Sequence, residues 1–291
     1  MKNLSPLRYP GGKSRLAEFF KICIQKSNIE NCIYVEPFAG GAGVACSLLL
    51  NDVVDKIIIN DFDRAIYSFW RAIKYDSREL IERIRSSEVT IEEWRKQKKI
   101  YLTASAYSVD LAFATLFLNR TNRSGILSAG PIGGYSQSGE WKLDVRFDKE
   151  VIIEKINAIA KKRNRFEVYN QEIIYFITKT IDQISGNLFF YFDPPYYNKG
   201  QKLYANYLTS MDHQRIHDVV VDSIKFPWIM TYDDVEAIEE LYSNFNIKRF
   251  DLTYSVANKG RASELMIFSN PKFCPTESQL RKNKININLR G

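Results

Sequence analysis

Short apolar blocks punctuate this chain at residues 33–35 (Ile-Tyr-Val), 57–59 (Ile-Ile-Ile), 166–169, 188–192 (Leu-Phe-Phe-Tyr-Phe), 228–232 and 265–268. Their length and their β-branched and aromatic content predict strands. The block 188–192 has no polar alternation, so it predicts a central strand buried on both faces. Longer apolar stretches at 44–50, 110–119 and 173–184 predict helices. Strands alternate with helices at both ends of the chain, the pattern of a doubly wound α/β sheet. The middle breaks that rhythm: charged helical sequence is followed, from 119 to 139, by an aperiodic segment rich in Gly, Ser, Asn and Arg. A long irregular segment inside a compact protein is more often functional than filler. Residues 68–150 therefore read as a domain inserted between two halves, 1–67 and 151–275, of one α/β framework. The polar, basic tail at 276–291 is expected to be partly disordered.

Two glycine patterns are decoys. Pro10-Gly11-Gly12-Lys13-Ser14 ends like a phosphate-binding P-loop, but that motif needs a glycine six residues before the lysine, where this chain has Leu7. Gly41-Ala42-Gly43 starts like a dinucleotide fingerprint, but its last glycine position holds Cys46. What remains is a strand running into Glu36-Pro37-Phe38-Ala39-Gly40-Gly41, with Asp61 about 20 residues later at the tip of the next strand. Ligands of open α/β sheets bind beyond the carboxyl ends of the strands, and glycines there admit a ligand close to the backbone. A carboxylate at the second tip suits a ribose diol.

Asp193-Pro194-Pro195-Tyr196 follows the buried strand directly. Two prolines end the strand and stiffen the loop. They hold a carboxylate, a carbonyl and an aromatic ring in fixed relation, the groups an amino-methylating enzyme requires. The exocyclic amine of adenine is a poor nucleophile because its lone pair is delocalised. Acceptors on its two N–H bonds, from Asp193 and the Pro194 carbonyl, favour a nucleophilic nitrogen and stabilise positive charge as a methyl arrives. Tyr196 is expected to stack on an extruded base, worth about 1–3 kcal/mol against a similar cost of extraction.

Net charge is +7 and the sequence pI is about 9.0, which suits a polyanionic partner. The basic runs Arg95-Lys96 with Lys98-Lys99, and Lys161-Lys162-Arg163-Asn164-Arg165, read equally as phosphate contacts or as solvated helix ends. His213 and His217 stand four apart, but nothing acidic or thiol-bearing nearby completes a metal site, and none is expected. The four cysteines make no CxxC pair and predict reduced thiols. The opening residues lack an apolar core and no run approaches the ~20 residues of a membrane span, which predicts a cytoplasmic protein without a signal peptide.

Together these motifs resemble the Dam-type adenine-N6 DNA methyltransferases, the D12 class in its alpha-group motif order. Arg8-Tyr9-Pro10-Gly11-Gly12-Lys13 resembles the family's N-terminal cofactor motif, Glu36 to Gly41 its main S-adenosylmethionine motif, and Asp193 to Tyr196 its catalytic motif. Residues 254–261 with Glu264-Leu265 resemble a late segment of the class. The similarity covers about residues 5 to 270. It implies a Rossmann-like methyltransferase sheet of seven strands with an inserted, mostly helical target-recognition domain. It further implies S-adenosylmethionine as cofactor and double-stranded DNA as partner, with a monomeric enzyme and a possible cognate restriction endonuclease. Tyr9 and Lys13 would reach the cofactor's methionine end, with Gly12 between them also at the cofactor. Glu36, Pro37, Phe38, Ala39, Gly40 and Gly41 would line its pocket, beside Asp193. Asp61 would hold the ribose hydroxyls, and Glu172 would meet the adenine where the family carries Asp. The expected DNA-facing residues are Asn119, Arg120, Arg123, Ser124, Trp141, Lys142 and Arg146. The insert does not match the version associated with GATC, so the target sequence stays open.

Three other readings share parts of this pattern. Cytosine-N4 enzymes use the same chemistry but more often carry Ser at the position of Asp193. Protein-glutamine enzymes prefer Asn there and lack the Gly-Gly-Lys element, and RNA bases are a related substrate. A non-catalytic DNA-binding protein could keep the scaffold, although intact cofactor and catalytic motifs count against that.

Overall fold

The structure, a computed structural model, describes residues 4–8, 13–198, 208–253 and 261–290. Eight strands form one sheet: β1 (Cys32–Glu36), β2 (Lys56–Asn60), β3 (Phe166–Tyr169), β4 (Asn187–Phe192), β5 (Trp228–Asp233), β6 (Asn246–Thr253), β7 (Arg261–Phe268) and β8 (Leu289–Arg290). Their order is β3-β2-β1-β4-β5-β7-β6-β8. The first five pair in parallel, and β7 runs antiparallel between β5 and β6. The strand order reverses between β1 and β4, which makes the carboxyl ends of those two strands the switch point beyond which ligands of open α/β sheets bind.

Unbroken apolar runs are explained by the two layers that cover the sheet. Tyr34, Ile57, Ile59, Phe189, Tyr191 and Ile229 face one cluster, built with the helices α1 (Ala17–Lys26) and α2 (Gly43–Leu50). Their alternate neighbours Val35, Ile58, Leu188, Phe190, Phe192 and Met230 face a second cluster on the other side. A strand with apolar neighbours on both faces has no use for polar alternation.

The inserted segment is helical: α3 (Arg64–Tyr75), α4 (Ser77–Ser86), α5 (Ile91–Thr103) and α6 (Val109–Thr121) precede a looped stretch, and α7 (Lys149–Ala160) returns the chain to β3. Asp63, Thr90, Ser108 and Asp148 each cap a helix by accepting a backbone N–H. The segment has no core of its own. Phe69, Trp70, Phe117 and Ile156 belong to the same cluster as Tyr34 and Phe189. The boundaries read from the sequence fall within α3 and α7, which run continuously across them.

Two elements differ from expectation. Strand β6 is half polar and carried no recognisable pattern. The tail is ordered: Glu277–Lys282 is a helix with a capping box at Thr276, Leu280 is buried, and Leu289 pairs with Phe250 at the sheet edge. Apolar residues at 280, 285, 287 and 289 pack on the core despite the surrounding charge.

Candidate active site

The turn after β1 is stapled from four sides. Ala39 N–H donates to the Asn60 carbonyl at 2.9 Å, and the Asn60 side-chain amide donates to the Pro37 carbonyl at 3.1 Å. Gly40 N–H donates to Asp61 Oδ2 at 2.7 Å, and Trp70 Nε1 donates to the Gly40 carbonyl at 2.9 Å. Ser5 Oγ donates to the Gly41 carbonyl at 2.5 Å. Gly40 has φ +45° and Ala42 +41°, so the turn is sharp and left-handed at two points. A Cβ on Gly43 would come within 2.9 Å of the Ser14 side chain, which keeps the N-terminal segment tight against the start of α2.

Glu36 is buried, and its Oε1 accepts from Tyr34 Oη at 3.1 Å and from Ala45 N–H at 3.0 Å. Burial pushes its carboxyl up to about 8, against these two donors. Asp61, pushed up to about 7 by burial and by Asp63, accepts N–H bonds on both oxygens, from Gly40 and Asp63. Each carboxylate oxygen can take a further donor. Phe62, next in the chain, is 59% exposed at the same edge. Glu172 is exposed after β3, with Oε2 capping the turn that begins at Ile173.

The corner after β4 gathers side chains from four places in the chain. Asp193 keeps a quarter of its side chain exposed, while Pro194 behind it is buried. Lys13 Nζ lies 3.3 Å from Asp193 Oδ1 and 3.0 Å from Glu264 Oε2. Burial works against the lysine charge, but the two carboxylates outweigh it and hold the ammonium protonated. Thr231 Oγ1 donates to Asp193 Oδ1 at 2.6 Å. Asp233 Oδ1 accepts from Tyr197 N–H at 2.8 Å and Oδ2 from Asn198 N–H at 3.0 Å, which pins the far side of the loop. Asp233 opposes Glu264 in the antiparallel register of β5 and β7. Lys13 and Asp193 were readable from the sequence; Glu264 entered only as part of a late segment, and Thr231 and Asp233 were missed. Each is a polar residue bordering an apolar strand segment, the signal that could have found them.

Tyr196 departs from expectation. Its ring is only 6% exposed, and its hydroxyl donates to Glu264 Oε1 at 2.7 Å and accepts from Lys13 Nζ at 3.2 Å. In this structure it locks the corner rather than presenting an open stacking face. Pro195 and Tyr197 are half-buried beside it.

The insert grips the N-terminal segment. Asn119, expected to face DNA, is 1% exposed. Its Oδ1 accepts Arg8 N–H at 2.7 Å, and its Nδ2 donates to the carbonyls of Arg8 at 2.7 Å and Gly125 at 2.9 Å. A carboxamide pairing with both backbone groups of one residue imitates a strand neighbour. Arg120 is likewise turned inward: its guanidinium donates to the Pro6 carbonyl through Nε at 2.8 Å and also through Nη2. Burial and the neighbouring Arg8 pull its guanidinium down to about 10. A Cβ on Gly125 would lie 2.4 Å from the Arg8 carbonyl, so only glycine fits. Residues 5–8 thus run between the insert and the turn after β1, and lead to Lys13.

The family model for D12 class N6 adenine-specific DNA methyltransferases matches residues 9–256. This chain belongs to that family. Among curated relatives, it is 25% identical to the type II methyltransferase M.MjaIII of Methanocaldococcus jannaschii, over 65% of this chain and 68% of the relative. It is 22% identical to the type II methyltransferase M1.LlaDCHI of Lactococcus lactis subsp. cremoris, over 91% of this chain and 95% of the relative. A solved rRNA methyltransferase, aviRa from Streptomyces viridochromogenes, is similar at a TM-score of 0.42 and 10% identity, covering 90% of this chain and 86% of that one. The family match, not this loose likeness, decides the assignment. A D12 methyltransferase acts on DNA and implies a methyl donor of the S-adenosylmethionine type.

On the insert of this DNA methyltransferase, the remaining expected DNA residues point outward. Arg123, Lys142 and Arg146 are exposed, and Trp141 is 60% exposed, with Tyr135 nearby in sequence at 59%. Ser124 is half-buried at φ +57°. The loop carrying them is built rather than loose. Trp94 Nε1 donates to Asn122 Oδ1 at 2.6 Å, and Gln137 holds Ile132, Gly134 and Leu143 through its side-chain amide. In the second basic run, Lys162 and Arg165 pair with Asp52 at 2.5 Å, at the amino ends of β2 and β3 and away from the switch point. Lys98 donates to the Leu127 carbonyl at 2.7 Å, while Arg95 and Lys99 are exposed. His213 Nδ1 lies 3.0 Å from Tyr232 Oη, and among the described residues no cluster could hold a metal. Among them, too, no helix is long and apolar enough to cross a membrane. Tyr9, Gly12 and residues 254–260 lie outside the described residues.

Proposed function

We propose that this methyltransferase rotates its target adenine out of double-stranded DNA and moves a methyl group directly from S-adenosylmethionine to N6, with Asp193 as the acceptor that activates the amine. The observation that carries the reading is the Asp193 side chain: one-quarter exposed at the switch point of the sheet, on a proline-stiffened corner, with its neighbours buried. The cofactor fits the residues present. The glycine turn admits a ligand close to the backbone, Asp61 has acceptor capacity left for ribose hydroxyls, and the exposed Phe62 ring offers an apolar face to a purine. When bound, S-adenosylmethionine supplies an electrophilic methyl on a sulfonium.

The chain's own groups do the rest. Asp193 and the Pro194 carbonyl accept the two N–H bonds of the amine, which draws its lone pair out of the ring and stabilises positive charge as the N–C bond forms and the S–C bond breaks. The proton then lost from nitrogen passes to solvent, which the Asp193 side chain contacts. Fixed geometry supplies much of the acceleration. Arg123, Trp141, Lys142 and Arg146 form the outward face of the target-recognition segment, Arg and Lys contacting phosphate or base edges. The enzyme acts as a monomer, and a cognate endonuclease completes a restriction-modification pair, as the type II names of its relatives suggest.

The test is radiolabelled methyl transfer to DNA by wild type and Asp193→Ala, with sequencing of the modified bases. The reading requires N6-methyladenine from wild type and a loss of about a hundred- to a thousandfold or more in Asp193→Ala, the size of removing a main electrostatic stabiliser. Label on cytosine, or undiminished transfer by the variant, refutes it.

A further inference from the structure

We infer that Thr231 is a positioning residue that commits one oxygen of Asp193, so that the other, Oδ2, is the acceptor of the target amine. The inference rests on the reading of Asp193 given above. A carboxylate can only accept, so the 2.6 Å contact fixes Thr231 Oγ1 as the donor to Asp193 Oδ1. Tyr191 Oη lies 2.9 Å from Thr231 Oγ1 and must then be the donor in that pair, so the hydroxyl proton of Thr231 has one direction to point. Tyr191 is buried on β4, two residues before Asp193, and Thr231 is buried on β5 beside it. Neither can rotate towards solvent for another partner. Lys13 Nζ closes on the same oxygen at 3.3 Å. Among the described residues no hydrogen bond reaches Oδ2.

Lys13 Nζ is also shared, reaching Glu264 Oε2 at 3.0 Å as well as Asp193 Oδ1, so the lysine is not committed to Asp193 alone. The orienting hydroxyl fixes the plane of the carboxylate without consuming the lone pairs that the amine needs.

A sharp consequence concerns the amide. In Asp193→Asn the two donors, Thr231 O–H and Lys13 N–H, hold the amide oxygen at the Oδ1 position. The NH2 group then occupies the Oδ2 position, donor against donor with the target amine. The amide therefore fails although it contains an acceptor.

The experiment is single-turnover methylation at saturating DNA and cofactor, with affinities for both measured separately and folding checked by thermal melting. Thr231→Val should slow transfer by about ten- to a hundredfold, the range of losing a hydrogen bond to a charged group, with both affinities unchanged. Thr231→Ser should return to within about threefold of wild type, because it restores the hydroxyl. Tyr191→Phe should show a smaller loss, and it keeps the idea testable if the valine variant does not fold. Asp193→Asn should be as slow as Asp193→Ala. Transfer at wild-type rate by Thr231→Val alongside a dead Asp193→Ala overturns the orienting role alone. Asp193→Asn retaining more than about a tenth of wild-type rate also overturns it. An active Asp193→Ala instead overturns the reading of the site itself.

Discussion

Asn119→Ala separates two views of the insert. If Asn119 is the clamp that the structure shows, its loss unpairs Arg8 N–H, Arg8 C=O and Gly125 C=O. Gly125 is buried, so its carbonyl bears most of the cost of an unmet acceptor, about 1–3 kcal/mol; the half-buried Arg8 groups can partly recover with water, at about 0.5–1.5 kcal/mol each. The sum is roughly 3–4 kcal/mol, which for a chain of this size lowers the melting temperature by roughly 5–7 °C. The effect should also reach the cofactor site. Ser5, on the same segment, holds the Gly41 carbonyl, so the variant should bind cofactor more weakly. Thermal melting and cofactor titration of the free protein read both effects without any DNA. Asn119→Asp keeps the acceptor for Arg8 N–H but loses both donors and buries a charge, so it should melt no higher than the alanine variant. A base contact predicts the reverse: an unchanged melt and a loss of DNA affinity of about 1–3 kcal/mol. A melt within about 1 °C of wild type together with weakened DNA binding would refute the clamp.

Two further predictions follow from buried carboxylates. Burial raises the Glu36 carboxyl from its ordinary 4.5 to about 8, so the folded state binds its proton more tightly than the unfolded chain does. Wild type therefore loses stability as pH rises from 4.5 to 8, by at most about 5 kcal/mol, and Glu36→Gln does not; the melting-temperature advantage of the variant should widen across that window, and a flat difference refutes the cost. Asp233→Asn replaces one of two acceptors at the Tyr197 and Asn198 N–H groups by a donor, and should lower the single-turnover rate about tenfold or more while leaving cofactor affinity unchanged; equal losses in both would reassign Asp233 to the cofactor side.

What the sequence made legible, and what it hid, divides along a physical line. Local signals carried the strands at 33–35, 57–59 and 188–192, the glycine turn and the diproline corner, because each is determined by residues adjacent in the chain. The parallel sheet followed from their alternation with helices. What was hidden depends on partners far away. Asn119 reads as an exposed polar residue beside Arg120, yet its main partner, Arg8, is 111 positions distant. Glu36 opens a ligand motif, and nothing local shows that its carboxyl also accepts from Tyr34 and the first turn of α2. Glu264 reaches Asp193's lysine only because β7 runs antiparallel, which brings its polar residue level with the carboxyl end of β5. Sequence cannot give that direction, since the hydrophobic pattern of a strand is the same read either way. One clue was nonetheless present. Asn60, Thr231, Asp233 and Glu264 are polar side chains next to strand segments rich in Ile, Met and Leu, and all four are buried in the structure. Burying such groups is costly unless each is hydrogen-bonded or paired. Asn60 bonds the β1 turn and Gln171, Thr231 and Asp233 fix the corner after β4, and Glu264 pairs with Lys13. A polar residue that an apolar strand tolerates near its site-facing end is thus best read as a support for that site, and it is at these supports that substitution should separate rate from binding.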